Sequence, residues 1–319
     1  MKITREEIDK IAKDYEIGKV IKYKLIKQGK INYNFDVKTN KGNFVIRILG
    51  HKNDKANKRK LKLEFKVLNF LKKNKFPYEI PYPIKNGKGI FLSKVNGKDC
   101  WVYKKLKGKN IKKINEEKIK NIAILLATYH KFVKKIKLNK NEKVHADNFF
   151  DLNWLLKKYS SMKKIRQKNN VNKLILENFK FFEDLLNKIK KIKFNKNIII
   201  THSDFQKENF LFEGDKIKGL LDFDNLDTLP LIKDLASAIQ NACFGNLKLN
   251  NSKMKLFLRE YEEINKLSKE EKEMILPAIL REKCIGFWWF YMELKKEKDK
   301  KYKIIKKIIN EAKNLEKLK

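Results

Sequence analysis

A short β region between long helices constrains the fold of this chain more than any other segment. The apolar run at 198–200 predicts a buried strand over 198–201 that delivers the polar sequence His-Ser-Asp at 202–204 into a loop. Two further strands are predicted over 210–212 and 217–222, and the turn sequence Glu-Gly-Asp-Lys at 213–216 should join them as a hairpin. A strand, a polar loop and a hairpin therefore follow one another directly.

The hairpin should bring three oxygen-bearing side chains together. It folds Asn209, just before its first strand, back toward Asp222 at the end of its second, and Asp204 precedes both in the loop. Carboxylate and amide oxygens suit Mg²⁺, which usually keeps some water and completes its shell with substrate phosphates. Phosphoryl transfer needs such a metal, and it also needs a carboxylate that accepts the proton of the attacking hydroxyl. We therefore expect phosphoryl-transfer chemistry with ATP and Mg²⁺ at this segment.

The spacing of these residues divides the roles between them. Asp204 lies five residues before Asn209, as the catalytic Asp lies before the metal-binding Asn in the catalytic loop of protein kinases. Asp222-Phe223 stands where the metal-binding Asp-Phe-Gly of those enzymes would stand. Asp204 is therefore predicted to act as the base or to orient the hydroxyl, and Asn209 and Asp222 are predicted to bind the metal.

The same segment resembles the superfamily of aminoglycoside phosphotransferases, choline kinases and homoserine kinases, whose fold is protein-kinase-like. The resemblance is carried by His202-x-Asp204-x-x-x-x-Asn209, by Leu221-Asp222-Phe223-Asp224 and by Asp234-Leu235-Ala236. It implies that His202 braces the loop and that Asp234 anchors it by hydrogen bonding. Two uses stay open for Asp224, which are contact with the metal through water and binding of a cationic group.

The predicted secondary structure changes from mostly strands to mostly long helices near residues 103–108, which resemble the hinge between two lobes. Before this point, a helix is predicted over 4–15, followed by short alternating strands and a second helix over 57–74. After it, long helices predominate on both sides of the β region. Together with the resemblance, this predicts an α+β, two-lobed protein-kinase-like fold. Residues 1–105 would form a small antiparallel β lobe with one main helix, and residues 106–319 a larger, mostly helical lobe with the catalytic loop and the acceptor site.

A cation in an apolar strand marks the nucleotide side. Arg47 interrupts the strand predicted over 43–49, and a buried cation needs a partner. Glu64 offers one, because it lies on the apolar stripe of the helix at 57–74. Kinases pair a strand cation with a helix Glu to hold the phosphates of ATP, usually with Lys as the cation. Arg47 and Glu64 are therefore predicted to bind nucleotide, while a purely structural ion pair stays open.

The resemblance implies two further nucleotide contacts. The stretch around Gly29 looks like the family's turn over the nucleotide, in which Asn32 and Asn34 would add side-chain donors. The backbone from Lys104 to Leu106 would hold the adenine ring at the hinge.

The acceptor is predicted from the resemblance alone. The resemblance extends over nearly the whole chain, and its best local match is to the homoserine kinase branch, which implies homoserine or a similar small amino alcohol. Choline, ethanolamine and aminoglycosides stay open, as does a non-catalytic kinase-like protein that serves in binding or regulation. Candidate acceptor contacts lie in the helical lobe at His130, Trp154, Asn241, Trp288, Trp289 and Tyr291.

The formal charge of +39 would suit nucleic acid or an anionic membrane, yet its distribution favours neither. Nearly all the cations are Lys, with six Arg, and they are spread along the chain among many Asn and Ile. Base-reading sites use Arg forks and stacked aromatics, and neither is clustered here. We therefore expect ATP and a small hydroxyl-bearing substrate, rather than nucleic acid, as partners.

The remaining composition points to a cytoplasmic protein. The longest apolar runs are strand-sized, well short of the roughly 20 residues that cross a bilayer, so no membrane insertion is expected. The charged start lacks the features of a secretory signal. Cys100, Cys243 and Cys284 are too scattered for a disulfide framework or a zinc site, and we expect packed thiols.

Overall fold

The computed structural model describes residues 3–26, 31–50, 54–139, 142, 152–194, 197–293 and 298–318. The chain forms two compact units. The first consists of Met1–Ile111, Leu138–Val144 and Glu208–Asn225, and the second of Lys112–Lys137, His145–Lys207 and Leu226–Lys319. The predicted lobes, residues 1–105 and 106–319, differ from these units at residues 106–111, at Leu138–Val144 and at Glu208–Asn225, and the lobe boundary stays a prediction.

Helices and strands of the described residues are numbered in chain order. The helices are α1 (Arg5–Asp14), α2 (Lys55–Lys73), α3 (Glu116–Val133), α4 (Leu152–Met162), α5 (Asn170–Lys190), α6 (Ile232–Ala242), α7 (Asn251–Glu262), α8 (Lys269–Glu293) and α9 (Lys298–Glu316). The strands are β1 (Val20–Ile26), β2 (Tyr33–Thr39), β3 (Gly42–Ile48), β4 (Ser93–Val95), β5 (Lys98–Lys104), β6 (Ile198–Thr201), β7 (Phe210–Glu213), β8 (Lys216–Leu220), β9 (Asp227–Pro230), β10 (Phe244–Gly245) and β11 (Lys248–Leu249).

The first unit is built on an antiparallel sheet with the strand order β1-β2-β3-β5-β4. Helix α1 begins with a capping box, in which the Thr4 hydroxyl and the Glu7 carboxylate each accept from the other residue's backbone N–H. Strand β4 begins at Ser93, after a turn in which the Asn86 side chain accepts from the backbone N–H of Ile90.

Alternation along β3 separates the two faces of this sheet. Phe44, Ile46 and Ile48 join residues of α1 in one apolar core. Arg47 therefore faces the other side, and it pairs with Trp101 of β5 across the strands. The Trp101 ring meets Phe65 of α2 edge to face, with 5.6 Å between the ring centroids. The pleat thus places the Arg47 cation on the face of the sheet that α2 covers.

The predicted hairpin forms from β7 and β8, with Gly214 in the left-handed region at φ +60°. Backbone bonds attach it to the rest of the first unit. The Glu79 N–H donates to the carbonyl oxygen of Lys218 at 2.8 Å, and the Leu220 N–H donates to that of Glu79 at 2.9 Å. Gly219 permits this approach, because a Cβ there would lie 3.1 Å from the Glu79 oxygen. These contacts explain why the hairpin belongs to the first unit.

The second unit is mostly helical. Helix α3 packs against α6 and α7, and α8 packs against α6 and α9. Strand β6 pairs antiparallel with β9, with Thr201 opposite Asp227. The sequence does not predict β9, because a four-residue segment that contains Asp and Pro has little strand propensity. Its pairing with β6 fixes the strand from which the predicted catalytic loop begins.

The structure bears on three expectations drawn from composition, which concern the cysteines, membrane-spanning helices and metal-binding clusters. Cys100, Cys243 and Cys284 are buried free thiols, which confirms their predicted packing. Within the described ranges, no helix combines the length and the apolar character needed to span a membrane. In those same ranges, no group of three or more His, Cys, Asp or Glu side chains is arranged to hold a metal ion.

Candidate active site

The base of the hairpin holds the two predicted metal-binding residues, Asn209 and Asp222. The Leu221 N–H donates to the carbonyl oxygen of Asn209 at 2.9 Å, which confirms that the chain returns from the end of β8 to the start of β7. Asp222 then adopts the left-handed conformation at φ +67°, which Asp tolerates better than most residues. The strand therefore ends at Leu220 rather than at residue 222. The Asp222 side chain is 38% exposed, whereas Asn209 is buried.

Arg47 is buried and contacts three carboxylates. Its Nη2 lies 2.8 Å from Asp224 Oδ2 and 3.3 Å from Asp222 Oδ1, and its Nη1 lies 3.8 Å from Glu64 Oε1. The guanidinium also stands 5.6 Å from the centre of the Trp101 ring. Burial alone would lower the pKa of Arg47, but Glu64, Asp224 and Asp222 raise it above its ordinary value. The predicted pairing with Glu64 is present, although Asp224 is the closer partner.

Asn32 connects this cluster to the start of β2. Its Nδ2 donates to Asp224 Oδ2 at 2.8 Å, and its Oδ1 accepts from the Gly50 N–H at 3.0 Å. The residue is buried. The sequence predicts that Asn32 donates toward the nucleotide, and it carries no signal of a contact with a residue 192 positions away.

The other predicted nucleotide residues are distributed along the same sheet. Asn34 lies directly across from Arg47 in the pairing of β2 with β3. Lys104 is the last residue of β5, and Leu106 follows it as a partly buried residue. Gly29 lies outside the described residues. The roles of these residues in nucleotide binding stay predictions.

In the second unit, one carboxylate holds the loop that follows β6. The backbone N–H of His202 donates to Asp234 Oδ2 and that of Ser203 to Asp234 Oδ1, both at 2.8 Å. Ser203 has a left-handed backbone at φ +64°, and successive N–H groups converge on an anion in such turns. Asp204 follows directly and is partly exposed. This is the kind of contact that the resemblance implies for Asp234.

Asp234 is fully buried, and His130 of α3 contacts it. His130 Nε2 lies 3.2 Å from Asp234 Oδ2, and His130 Nδ1 lies 2.7 Å from the hydroxyl oxygen of Tyr261 in α7. Burial lowers the pKa of His130. Burial would raise the pKa of Asp234, but the contacts with His130 and His202 lower it below its ordinary value. His130, a predicted acceptor contact, has no exposed surface to offer an acceptor.

The oxygen donors of the first unit fit a magnesium ion whose remaining ligands are water and phosphate oxygens. Asp222 and Asn209 supply a carboxylate and an amide, which are oxygen ligands of the type that Mg²⁺ takes. One exposed carboxylate and one amide would leave several positions of an octahedral shell to water and phosphate oxygens. The donor set therefore suits a metal that arrives with a nucleotide.

Known proteins resemble this chain in both sequence and fold. A family model described as the phosphotransferase enzyme family (APH) matches residues 22–250, which is more than half of the chain. The chain belongs to this family. The phosphotransferase is 22% identical over 287 residues to the homoserine kinase of Methylobacillus flagellatus, covering 90% of this chain and 84% of that protein. It is 24% identical over 287 residues to the homoserine kinase of Rhizobium meliloti, covering 90% and 83%.

Solved structures share the fold of the phosphotransferase at low identity. Spectinomycin phosphotransferase APH(9)-Ia, in complex with ADP and spectinomycin, matches with a TM-score of 0.73 and 14% identity over 99% of each chain. A microcompartment-associated aminopropanol kinase matches with a TM-score of 0.76 and 12% identity, covering 98% of this chain and 97% of that one. The predicted α+β, protein-kinase-like fold and the superfamily resemblance are confirmed. The protein is a phosphotransferase that acts on a hydroxyl-bearing substrate.

The phosphotransferase should show a pH-dependent stability that traces to Glu64. Burial raises the pKa of this carboxyl from 4.5 to about 7, although Arg47 opposes the shift. Between these values the folded protein retains a proton that the unfolded chain has lost, so the free energy of unfolding falls as the pH rises. Glu64→Gln should lack this part of the decline, a difference of up to about 3 kcal/mol across the window. Urea denaturation of both proteins from pH 4.5 to pH 8 measures it, and parallel curves would refute the assignment.

Proposed function

We propose that this phosphotransferase transfers the γ-phosphoryl group of ATP, with Mg²⁺, to the hydroxyl of homoserine or a similar small amino alcohol. The observation that carries this proposal is the set of relatives that match over 90% of the chain and are named homoserine kinases. Homoserine and aminopropanol both carry a hydroxyl and an amino group on a short carbon chain. The shared fold with the aminopropanol kinase is compatible with that acceptor class.

The nucleotide would be held by the first unit. Solved proteins of this fold were determined with ADP, and with AMP-PNP and Ca²⁺, which supports ATP and a divalent cation as ligands here. Arg47, braced by Glu64, would bind the phosphates through its planar fork, and Gly29 and Asn34 would cover them. The backbone at Lys104 and Leu106 would contact the adenine ring.

Asn209 and Asp222 would bind Mg²⁺ together with phosphate oxygens. When bound, the ion supplies positive charge that offsets the charge developing on the transferred group. Asp222 lies 3.3 Å from Arg47, so phosphate oxygens that bind Arg47 would compete with this carboxylate. Asp224 is the closer partner of Arg47, and we propose that it steadies the guanidinium rather than binding the metal directly.

Asp204 would accept the proton of the attacking hydroxyl or orient that hydroxyl for attack. Phosphoryl transfer depends mainly on positioning and on charge stabilisation, so a base on a fixed loop suits the task. His202 and Ser203, the two residues before Asp204, are both bonded to Asp234. His202 and Asp234 would thus support the loop without taking part in proton transfer.

Choline, ethanolamine and aminoglycosides are alternative acceptors for the same reaction. The net charge of +39 disfavours a polycationic aminoglycoside, because the summed field of the protein repels it. A non-catalytic role in binding or regulation is the alternative of another class. Asp204, Asn209 and Asp222 argue against that role, because phosphoryl transfer requires this combination whereas simple binding does not.

An acceptor scan tests the proposal. The purified protein is incubated with radiolabelled ATP, Mg²⁺ and one acceptor at a time: homoserine, aminopropanol, choline, ethanolamine or an aminoglycoside. We expect the highest kcat/KM for homoserine or aminopropanol. Preference for choline or an aminoglycoside would overturn the acceptor, and failure to bind ATP at all would sink the kinase mechanism. Asp204→Asn, prepared in parallel, controls for contaminating kinases.

A further inference from the structure

We infer that Tyr261 and His130 are positioning residues for Asp204, which act through a chain of hydrogen bonds that ends at the backbone of the catalytic loop. The inference rests on the proposed role of Asp204 and concerns two side chains that the reaction itself does not use.

The chain of hydrogen bonds crosses three helices of the second unit. It runs from the Tyr261 hydroxyl in α7 to His130 Nδ1 in α3 at 2.7 Å, and from His130 Nε2 to Asp234 Oδ2 in α6 at 3.2 Å. Asp234 then accepts the backbone N–H groups of His202 and Ser203, both at 2.8 Å. The side chains of Tyr261, His130 and Asp234 are fully buried, so water cannot replace any of these partners cheaply.

The protonation states decide which group donates and which accepts at each step of this chain of hydrogen bonds. His130 and His202 lower the pKa of Asp234, so its carboxylate is ionised and can only accept. His130 Nε2 must therefore carry a hydrogen. Burial lowers the pKa of His130, so the ring is neutral and its Nδ1 holds a lone pair. Burial raises the pKa of Tyr261, so its hydroxyl keeps its hydrogen and donates it to Nδ1. Tyr261 thus fixes the tautomer of His130 that Asp234 requires.

Loss of the Tyr261 hydroxyl would affect the position of Asp204 through His130 and Asp234. His130 Nδ1 would become a buried acceptor without a donor, and the other tautomer would turn a lone pair of Nε2 toward the Asp234 carboxylate. Either state weakens the hydrogen bond between His130 and Asp234. Asp234 is then less firmly placed, and its hydrogen bonds to the amides of His202 and Ser203 weaken as well. Asp204 is the next residue, and a misplacement of about 1 Å at a reacting group can cost roughly 100-fold in rate.

Tyr261→Phe tests the inference, with Tyr159→Phe as its matched control. The Tyr159 hydroxyl is equally buried in the second unit, but it donates to the carbonyl oxygen of Cys284 in α8 at 2.8 Å and takes no part in this chain of hydrogen bonds. We expect Tyr261→Phe to lower kcat roughly tenfold, by analogy with the loss of an outer hydrogen-bond partner at a catalytic site. The KM for ATP should stay within about twofold in both variants, because the two hydroxyls are bonded to His130 and Cys284 of the second unit, whereas the predicted nucleotide residues belong to the first.

Amide hydrogen exchange supplies a second readout that needs no activity. In Tyr261→Phe, the peptide that contains His202 and Ser203 should exchange faster than in the wild-type protein, whereas Tyr159→Phe should leave it unchanged. A second pair of variants separates hydrogen bonding from packing. His130→Gln keeps an N–H donor toward Asp234 and should retain most of kcat, whereas His130→Leu should lose it.

Each outcome bears on the inference. Equal effects of Tyr261→Phe and Tyr159→Phe on both kcat and exchange would overturn it, as would equal kcat values for His130→Gln and His130→Leu. A fall in kcat without faster exchange at residues 202–203 would contradict the route through Asp234. If the wild-type protein phosphorylates none of the acceptors, the proposed function fails, and the exchange comparison alone then decides whether Tyr261 holds the loop.

Discussion

Asp204→Asn is expected to lower kcat by roughly 10² to 10⁴, the range for a positioned general base, while the KM for ATP stays nearly unchanged. Asparagine keeps the shape of the side chain but cannot accept the hydroxyl proton. The loss should therefore appear in the chemical step and not in nucleotide binding. Steady-state kinetics with the preferred acceptor, at saturating ATP and Mg²⁺, measures it.

The matched control for this experiment is Asp184→Asn. Asp184 lies on α5 in the same unit, and its half-exposed carboxylate pairs with Lys180 on the surface. Such pairs contribute little to stability, so kcat should be unaffected. Near-normal turnover of Asp204→Asn would remove Asp204 from its proposed role, and a comparable loss in Asp184→Asn would indicate a general effect of charge.

Asp222→Asn is expected to abolish the dependence of nucleotide affinity on Mg²⁺ and to lower kcat by about 100-fold or more. Loss of a residue that only supports a metal ligand typically costs about 10- to 100-fold, and loss of a ligand itself should cost at least as much. Asparagine replaces the most exposed of the three carboxylates that contact Arg47, since the side chains of Asp222, Asp224 and Glu64 are 38%, 17% and 3% exposed. Isothermal titration calorimetry with an ATP analogue at several Mg²⁺ concentrations measures the effect.

Asp224→Asn provides the contrast, because Asp224 also pairs with Arg47 but is proposed to steady that side chain. Nucleotide affinity in this variant should weaken and still rise with Mg²⁺ concentration. If Asp222→Asn keeps the wild-type response to Mg²⁺ while Asp224→Asn loses it, the metal ligand is Asp224 and the two roles must be exchanged.

The sequence predicts those parts of the site that depend on a local turn or on a charged residue that interrupts an apolar pattern. The hairpin follows from Gly214 and its flanking strands, and it fixes the return from Asn209 to the residues just before Asp222. Arg47 and Glu64 can be paired from the sequence because each places a charge on an apolar stripe. A buried charge needs a partner, and these two are the nearest candidates in adjacent elements.

Contacts between distant segments leave no such trace in the sequence. Asn32 and Asp224 each belong to a segment with a predicted function, but neither segment indicates that the two side chains meet, and only the folded chain brings them together. His130 and Tyr261 lie on helices where a buried ring is expected for packing alone, so neither signals a hydrogen bond. The left-handed backbone of Asp222 is likewise invisible, since the apolar pattern before it does not show where the strand stops.

The attachment of the β7–β8 hairpin to the first unit limits how this protein could be divided. A fragment that ended near residue 111 would omit Glu208–Asn225 and leave the backbone N–H and C=O of Glu79 without their strand partners. It would also leave the buried Arg47 with Glu64 as its remaining carboxylate, at 3.8 Å. The first unit is therefore not a segment that could be cut from the chain at a single point, and an exchange of units between relatives would have to include the hairpin.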